Sequence, residues 1–504
     1  GAAARVSAYA VALVPFVVAA IRAIAQGWFP IGDGAQLYIR ATDVLTRDHP
    51  WLGSGTSASV SLGYQVNNAG PLYFDLVAPF ARTLPPGPGN VVGVTLVNAA
   101  CLVLAGVAAR RIGSATHGRV YEAWVLAAGG VLAWTLGSEL LFDMFQAHAL
   151  LFPFLATCVL LTGVAAGQAW VWPWLAFVLT LIAQTHVSYA YILVVVVVTS
   201  IATALVGLPA PRGAALRAAV SGHRRTLGVT AIVLAVTWFQ PLWQQLFGDG
   251  AGNLWRLARS AGGGDVAVGL PNAVRLVAAF VSLPPWAGRQ GFAGTLDAAG
   301  QDAAGDRVVL VNMPPDWLCA AALLVTVGLL VAAWWWARRH GPTLLATLAA
   351  WSAVVLVGSV VALSRLTVSG LGLAPHHTRW LFVVALFVYL TLAWATCAVL
   401  AGHFARLPEV VTLASVVAGL ALVAATLANL PKYSQRHGPT ATTAARSASS
   451  STPDPSPAYP PANSLSITRP GSISASAASS TDVGAGVTGV LASTSIANPV
   501  CSRK

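Results

Sequence analysis

The feature that most constrains this chain is a succession of apolar runs, each close to the roughly 20 residues a helix needs to cross a bilayer, separated by short loops that carry arginine. About eleven runs can be laid out, near residues 6–26, 90–109, 120–137, 148–166, 170–186, 187–207, 226–247, 316–337, 342–363, 378–401 and 409–430. With 56% hydrophobic and only 9% charged residues, a soluble globule is excluded, since its charged fraction lies nearer a quarter. The fold expected is an all-α polytopic membrane protein of about 11 transmembrane helices, with a large first extracytoplasmic loop carrying amphipathic helices. The first run, Val6 to Ile24, lacks a small-residue cleavage site before Phe29 and reads as a retained helix, not a signal peptide.

The net charge of +12 would point to nucleic acid in a soluble protein. Here the basic residues lie in clusters between apolar runs, where they report membrane orientation, and no nucleic-acid partner is expected. With the N-terminus inside, the inner segments carry Arg5, then Arg110, Arg111 and Arg119, then Arg212, Arg217, Arg224 and Arg225, then Arg338 and Arg339, and Arg406. The same arrangement puts Asp33, Asp43, Asp48, Asp75, Glu139, Asp143, Asp249, Asp265, Asp297, Asp302, Asp306 and Asp316 outside, leaving only Glu122 and Glu409 inside before the tail. The location expected is therefore the plasma membrane, multi-pass, with a cytoplasmic N-terminus, although splitting one weak span would reverse everything beyond it. The five cysteines show no CxxC or Cys/His spacing, so neither a disulfide framework nor a metal site is indicated.

The organisation expected is a transmembrane unit over 1–432, with a first outer loop at 29–85 and a long outer loop at 248–315, followed by a low-complexity tail over 433–504. Within the first loop, 71–83 reads as an interfacial or re-entrant helix bracketed by Pro79 and Pro85, and 266–283 is similar in the long loop. The tail of Ser, Ala, Thr and Pro cannot form a packed core. Either a solvated extracytoplasmic tail or a shifted reading frame after about Gln435 accounts for it.

Ionisable groups near membrane depth are expensive and often mark function. Asp33, in "FPIGDGA", has two readings: a carboxylate that takes a proton from a hydroxyl or binds a metal, or the N-cap of an amphipathic stretch from Ala35 to Arg47. Arg40 and Asp43 are spaced to pair with each other. His49 either binds phosphate or is solvated. Gln65, Asn67 and Asn68 offer amides to sugar hydroxyls, or satisfy turns. "SELLFDMFQAH" gathers Glu139, Asp143, Gln146 and His148 at helical spacing, and "AQTHVSYAY" places Gln184, His186, Tyr189 and Tyr191 in a tight turn. "LAPHHTRW" sets His376, His377 and Arg379 where cationic donors grip a phosphate, and the long loop adds Trp255, Arg256, Arg259, Trp286 and Arg289. Each cluster also has a reading as capping, interhelical bonding or interfacial anchoring.

A first helix, then an outer loop opening on "GDGA", a short amphipathic helix and a "GPLYF" segment leading into further spans, resembles the GT-C class of membrane glycosyltransferases, especially its actinobacterial members. The resemblance covers residues 1 to about 432. It implies an inverting enzyme that moves a sugar from a polyprenyl-phosphate donor to an envelope glycan or glycolipid acceptor on the extracytoplasmic side. By that likeness Asp33 is the general base or a carboxylate that orients the acceptor, and outer Arg and His bind the donor phosphate. No cofactor is required, and a divalent metal is optional. Paired acids are common in the family's first loop, whereas here Gly34 follows Asp33. His before the "GP" is also common, where this chain reads "NNAGPLYF". The alternatives are a transporter or flippase of an envelope lipid or glycolipid, and a non-catalytic partner of an envelope synthase.

Overall fold

The computed structural model describes residues 2–56, 59, 62–248, 250–260, 266–283, 300–301, 308–310, 314–368, 373 and 377–401. In chain order the helices are α1 (Ala2–Ala25), α2 (Gly32–Thr42), α3 (Leu72–Thr83), α4 (Pro86–Ile112), α5 (Ala115–Leu136), the single turns α6 (Glu139–Phe142) and α7 (Gln146–Ala149), α8 (Leu151–Ala165), α9 (Trp172–Thr185), α10 (Ala190–Val206), α11 (Arg212–Gly222), α12 (Arg224–Phe247), α13 (Asn253–Ser260), α14 (Gly269–Val277), α15 (Asp316–His340), α16 (Thr343–Arg365) and α17 (Trp380–Ala401). Among the described residues, seven helices are long and apolar enough to cross a membrane: α1, α4, α10, α12, α15, α16 and α17. That is the signature of a multi-pass membrane protein. The expected runs at 120–137, 148–166 and 170–186 are also helical, as α5, α8 and α9, but they are not among the seven. The expected run at 409–430 and the tail lie outside the described residues.

α8 and α9 are shorter than the seven, at 15 and 14 residues, whereas α5 has 22. Every residue of α8 is buried, as expected of a helix that is apolar all round and sits at the centre of a bundle. It packs against α4, α9 and α10, and at 15 residues it is about 22 Å long. The opposite case is α12, in which only Pro241 is buried. Its apolar side chains face outward, where lipid is the natural cover.

The helices alternate in direction, so the bundle has two ends. At one, Arg110 on α4 pairs with Glu122 on α5 at 3.9 Å, and Tyr9 Oη donates to the same carboxylate at 2.8 Å. Arg111 lies over the Trp170 ring, and Leu344 at the start of α16 packs against Gly113. The other end receives the loop from 29 to 85, and with it the turns at 137–150 and 186–189 and the start of α13.

Periodicity accounts for the two helices of that loop. The buried residues of α2 are Gly34, Leu37, Tyr38 and Ala41, the i, i+3, i+4, i+7 series of a one-faced helix. α3 buries Tyr73, Phe74, Val77, Ala78 and Ala81. The two faces meet in a core of their own, closed from the bundle by Val94, Met144, Ala149 and Leu181. Tyr38 Oη donates to Ala81 O at 3.0 Å within it. Each large side chain buried there stabilises by about 1.5–3 kcal/mol, so the loop is docked on the bundle.

Two local expectations are corrected. The helix near Asp33 runs from Gly32 to Thr42, its cap is Ile31, and no side chain caps it. Asp33 is therefore the helix's second residue, not its N-cap, and it stands where the helix dipole favours negative charge. The helix ends at Thr42 although the buried face continues to Val44; Leu45 beyond it is 81% exposed with φ 60°. Secondly, the stretch from Glu139 to His148 is not one helix: Asp143 is extended between α6 and α7, and α8 begins only at Leu151.

Candidate functional site

The break at Asp143 gives the site its geometry. Released from the helix, its carboxylate accepts the Phe145 N–H at Oδ1, 3.1 Å, and the His148 Nδ1–H at Oδ2, 3.0 Å. Both side chains are largely buried, at 15% and 10% exposed. Against a carboxylate acceptor, His148 Nδ1 is the donor of the pair. A Cβ added at Gly34 would stand 3.2 Å from Asp143 Oδ1, so the first turn of α2 rests directly on this carboxylate. Asp33, one residue away, is exposed and has no hydrogen bond or ion pair among the described residues. Asp143 thus stands against the first turn of the helix that carries Asp33.

Beneath lies a small cavity with room for about one water molecule, lined by Ser54, Tyr73, Phe74, Met144 and Thr185 among others. The Tyr73 hydroxyl is sealed from solvent without a partner. Burial pushes its pKa well up, and Cys101 and Asp143 nearby add to the effect. The cavity is too small for a sugar ring, so a substrate of that size would meet Asp33 from the open side.

Amides fasten the loop in place. Asn68 Nδ2 donates to Ser54 O and Oγ at 3.2 and 3.0 Å, its Oδ1 accepts the Val187 N–H at 2.8 Å, and Gln146 Nε2 reaches Ser54 Oγ at 3.2 Å. One side chain, Asn253, pairs with Asn67 like a strand neighbour: Oδ1 accepts Asn67 N–H and Nδ2 donates to Asn67 O, each at 2.9 Å. Arg256 Nη1 donates to Gln65 O at 3.2 Å, and Gln65 Nε2 to Asn67 Oδ1 at 3.3 Å. Asn68 therefore spends its side-chain amide on the fold, and Asn67 its backbone N–H and C=O.

His49 is not simply solvated. Its Nδ1 accepts the Leu45 N–H at 3.0 Å, so Nε2 carries the proton and donates to Gln240 Oε1 at 3.0 Å. Gln240 Nε2 in turn donates to Asp75 Oδ2 at 2.8 Å. The chain of bonds ties the loop and α3 to α12. Burial raises the Asp75 pKa above its ordinary value, and the Gln240 bond and the neighbouring His49 oppose the rise.

Arg40 and Asp43 form the expected exposed pair at 3.9 Å, worth little in stability. His186 and His377 meet edge to face with ring centroids 6.4 Å apart. His186 Nδ1 accepts the Ser188 hydroxyl at 2.7 Å, and Trp380 Nε1 donates to His377 O at 2.7 Å. Tyr189 is fully buried, edge-on to Phe154, with Arg379 in Coulombic reach. Arg289 and His376 lie outside the described residues. Ser54, Tyr73, Asp75, Gln240 and Asn253 were not singled out as site residues by the sequence; the available signal was lone amides in the apolar context "WFQPLWQQLF". Among the described residues, no group of three or more His, Cys, Asp or Glu side chains is placed to hold a metal ion. Comparison with protein-family models, with characterised proteins and with solved structures gives no match.

Proposed function

We propose that the chain is a GT-C-type membrane glycosyltransferase that takes a sugar from a polyprenyl-phosphate donor and passes it to an envelope glycan or glycolipid acceptor. The observation that carries the reading is Asp33: an exposed, partner-free carboxylate at the start of a docked helix, resting on the Asp143–His148 pair. Reaction takes place at the end of the bundle that holds residues 29–85, which we take as extracytoplasmic. The N-terminus is then cytoplasmic, in keeping with the arginines gathered at the other end.

In the step proposed, the acceptor hydroxyl gives its proton to Asp33 Oδ, its oxygen bonds to the anomeric carbon, and the bond from that carbon to the phosphate oxygen breaks with inversion. The polyprenyl phosphate leaves with the bonding electron pair. Arg379 and one of His376 and His377, with Arg256 or Arg289, offset its charge. Phosphate is a good leaving group, so no strong acid is needed opposite Asp33.

The test is sugar transfer in membranes supplied with labelled polyprenyl-phosphate sugar. Asp33→Asn is expected to lower kcat by about 10²–10⁴ while leaving the fold intact, because the side chain has no partner to lose. Near-normal transfer would place the base elsewhere.

A further inference from the structure

The end of the bundle away from the loop 29–85 carries Arg111, Arg119, Arg212, Arg217, Arg224, Arg225, Arg338 and Arg339, and none of them pairs with a carboxylate among the described residues. Glu122, the acid at this end in the described residues, is taken by Arg110 and Tyr9. The arginines are concentrated in two places. One is α11 and the start of α12, where neither helix N-terminus has a side-chain cap and where Arg212, Arg217, Arg224 and Arg225 fall within 14 positions. The other is the last turn of α15, where Arg338 lies 5.8 Å from the Trp334 ring centroid and Arg339 3.9 Å from that of Trp335.

α11 has no buried residue. Leu216 and Val220 are 45% and 49% exposed on the same short helix as Arg212 and Arg217. A dissolved anion would satisfy the arginines and leave the leucine and valine in water; a membrane surface covers both at once. Exposed Trp334 and Trp335 beside arginine suit the same depth, with ring and stem in the boundary and guanidinium among the headgroups.

We propose that this end of the bundle is a binding surface for anionic phospholipid headgroups, formed by Arg212, Arg217, Arg224 and Arg225 together with Arg338 and Arg339. The guanidiniums and helix N-terminal N–H groups donate to phosphate oxygens, and the apolar neighbours sit against the acyl boundary. The inference does not depend on the reaction proposed above.

The full chain reconstituted in phosphatidylcholine bilayers, with trace spin-labelled phosphatidylglycerol or phosphatidylcholine, tests it through the motionally restricted lipid fraction. Phosphatidylglycerol is expected to be favoured by about fivefold per guanidinium engaged, with the preference shrinking as salt is raised. Changing all six arginines to Gln should abolish the preference, changing them to Lys should keep most of it, and Arg259→Gln, which removes an Arg–Trp pair at the other end, should leave it unchanged. Equal retention of the two lipids by the wild type would overturn the proposal, as would a preference surviving the six Gln changes or displaced by soluble glycerol phosphate. If the sixfold variant does not fold, the double variant R338Q/R339Q decides: a reduced preference supports the surface and an unchanged one refutes it.

Discussion

The burial of Asp143 and the exposure of Asp33 set different expectations for the two carboxylates. Asp143→Ala strips both the Phe145 N–H and the His148 Nδ1–H of their acceptor. Leaving a buried donor unmet costs about 1–3 kcal/mol, so the variant should lose that much or more in detergent unfolding, whereas Asp33→Asn should lose almost none. Gly34→Ala puts a methyl against Asp143 Oδ1; it should disturb transfer more than stability, seen as a fall in kcat with little change in melting temperature. Asp75 carries a pH dependence. Burial raises its pKa above the ordinary 3.8, so the stabilisation that comes with its proton is complete below about pH 3.8 and is lost as pH rises through the raised folded value. Asp75→Asn keeps an acceptor for Gln240 and removes the charge. The variant should melt higher than the wild type at neutral pH, and the difference should vanish on acidification. At this scale the sequence supplied the residue types and the cluster around Asp143, since Asp143 and His148 are only five apart. The approach of Gly34 to Asp143 was not legible, because it depends on a helix break that the regular spacing of "SELLFDMFQAH" conceals.

Among the elements, the apolar runs foretold the long helices, and the stretch after Asp33 was legible as amphipathic. Helix ends were harder to read. α2 runs from Gly32 to Thr42, not from an Asp33 cap to Arg47, and α8 is only 15 residues long. The amides of the first loop illustrate a second limit: a loop asparagine has the same appearance in sequence whether it waits for a sugar or holds a peptide group. Here Asn253 satisfies both the N–H and the C=O of Asn67. Asn253→Ala should cost about 1–3 kcal/mol for each group left unmet, and it should speed amide hydrogen exchange over residues 65–68 without altering exchange in α4 or α8.

For the molecule as a whole, alternating helices sort the charges: the end without the first loop is basic, with one buried acid in the described residues, and the loop end mixes both signs. Placing the basic end in the cytoplasm predicts how single cysteines will label. Cys101, Cys158 and Cys319 are buried, so with Cys397 and Cys501 changed to Ser the background is low. A cysteine at Thr46 should react with an impermeant maleimide applied outside intact cells, and one at His223 only after permeabilisation; the reverse pattern would invert the topology. The reach of the bonds that hold the first loop also orders events in time. Asn67 and Asn68 are made before the partners that hold them, which stand 186 and 119 positions later. At roughly 5–20 residues per second, the ribosome needs about 10–40 s to deliver Asn253. Throughout that interval the loop lacks these fastenings, and it is then that a protease or a chaperone would find it open.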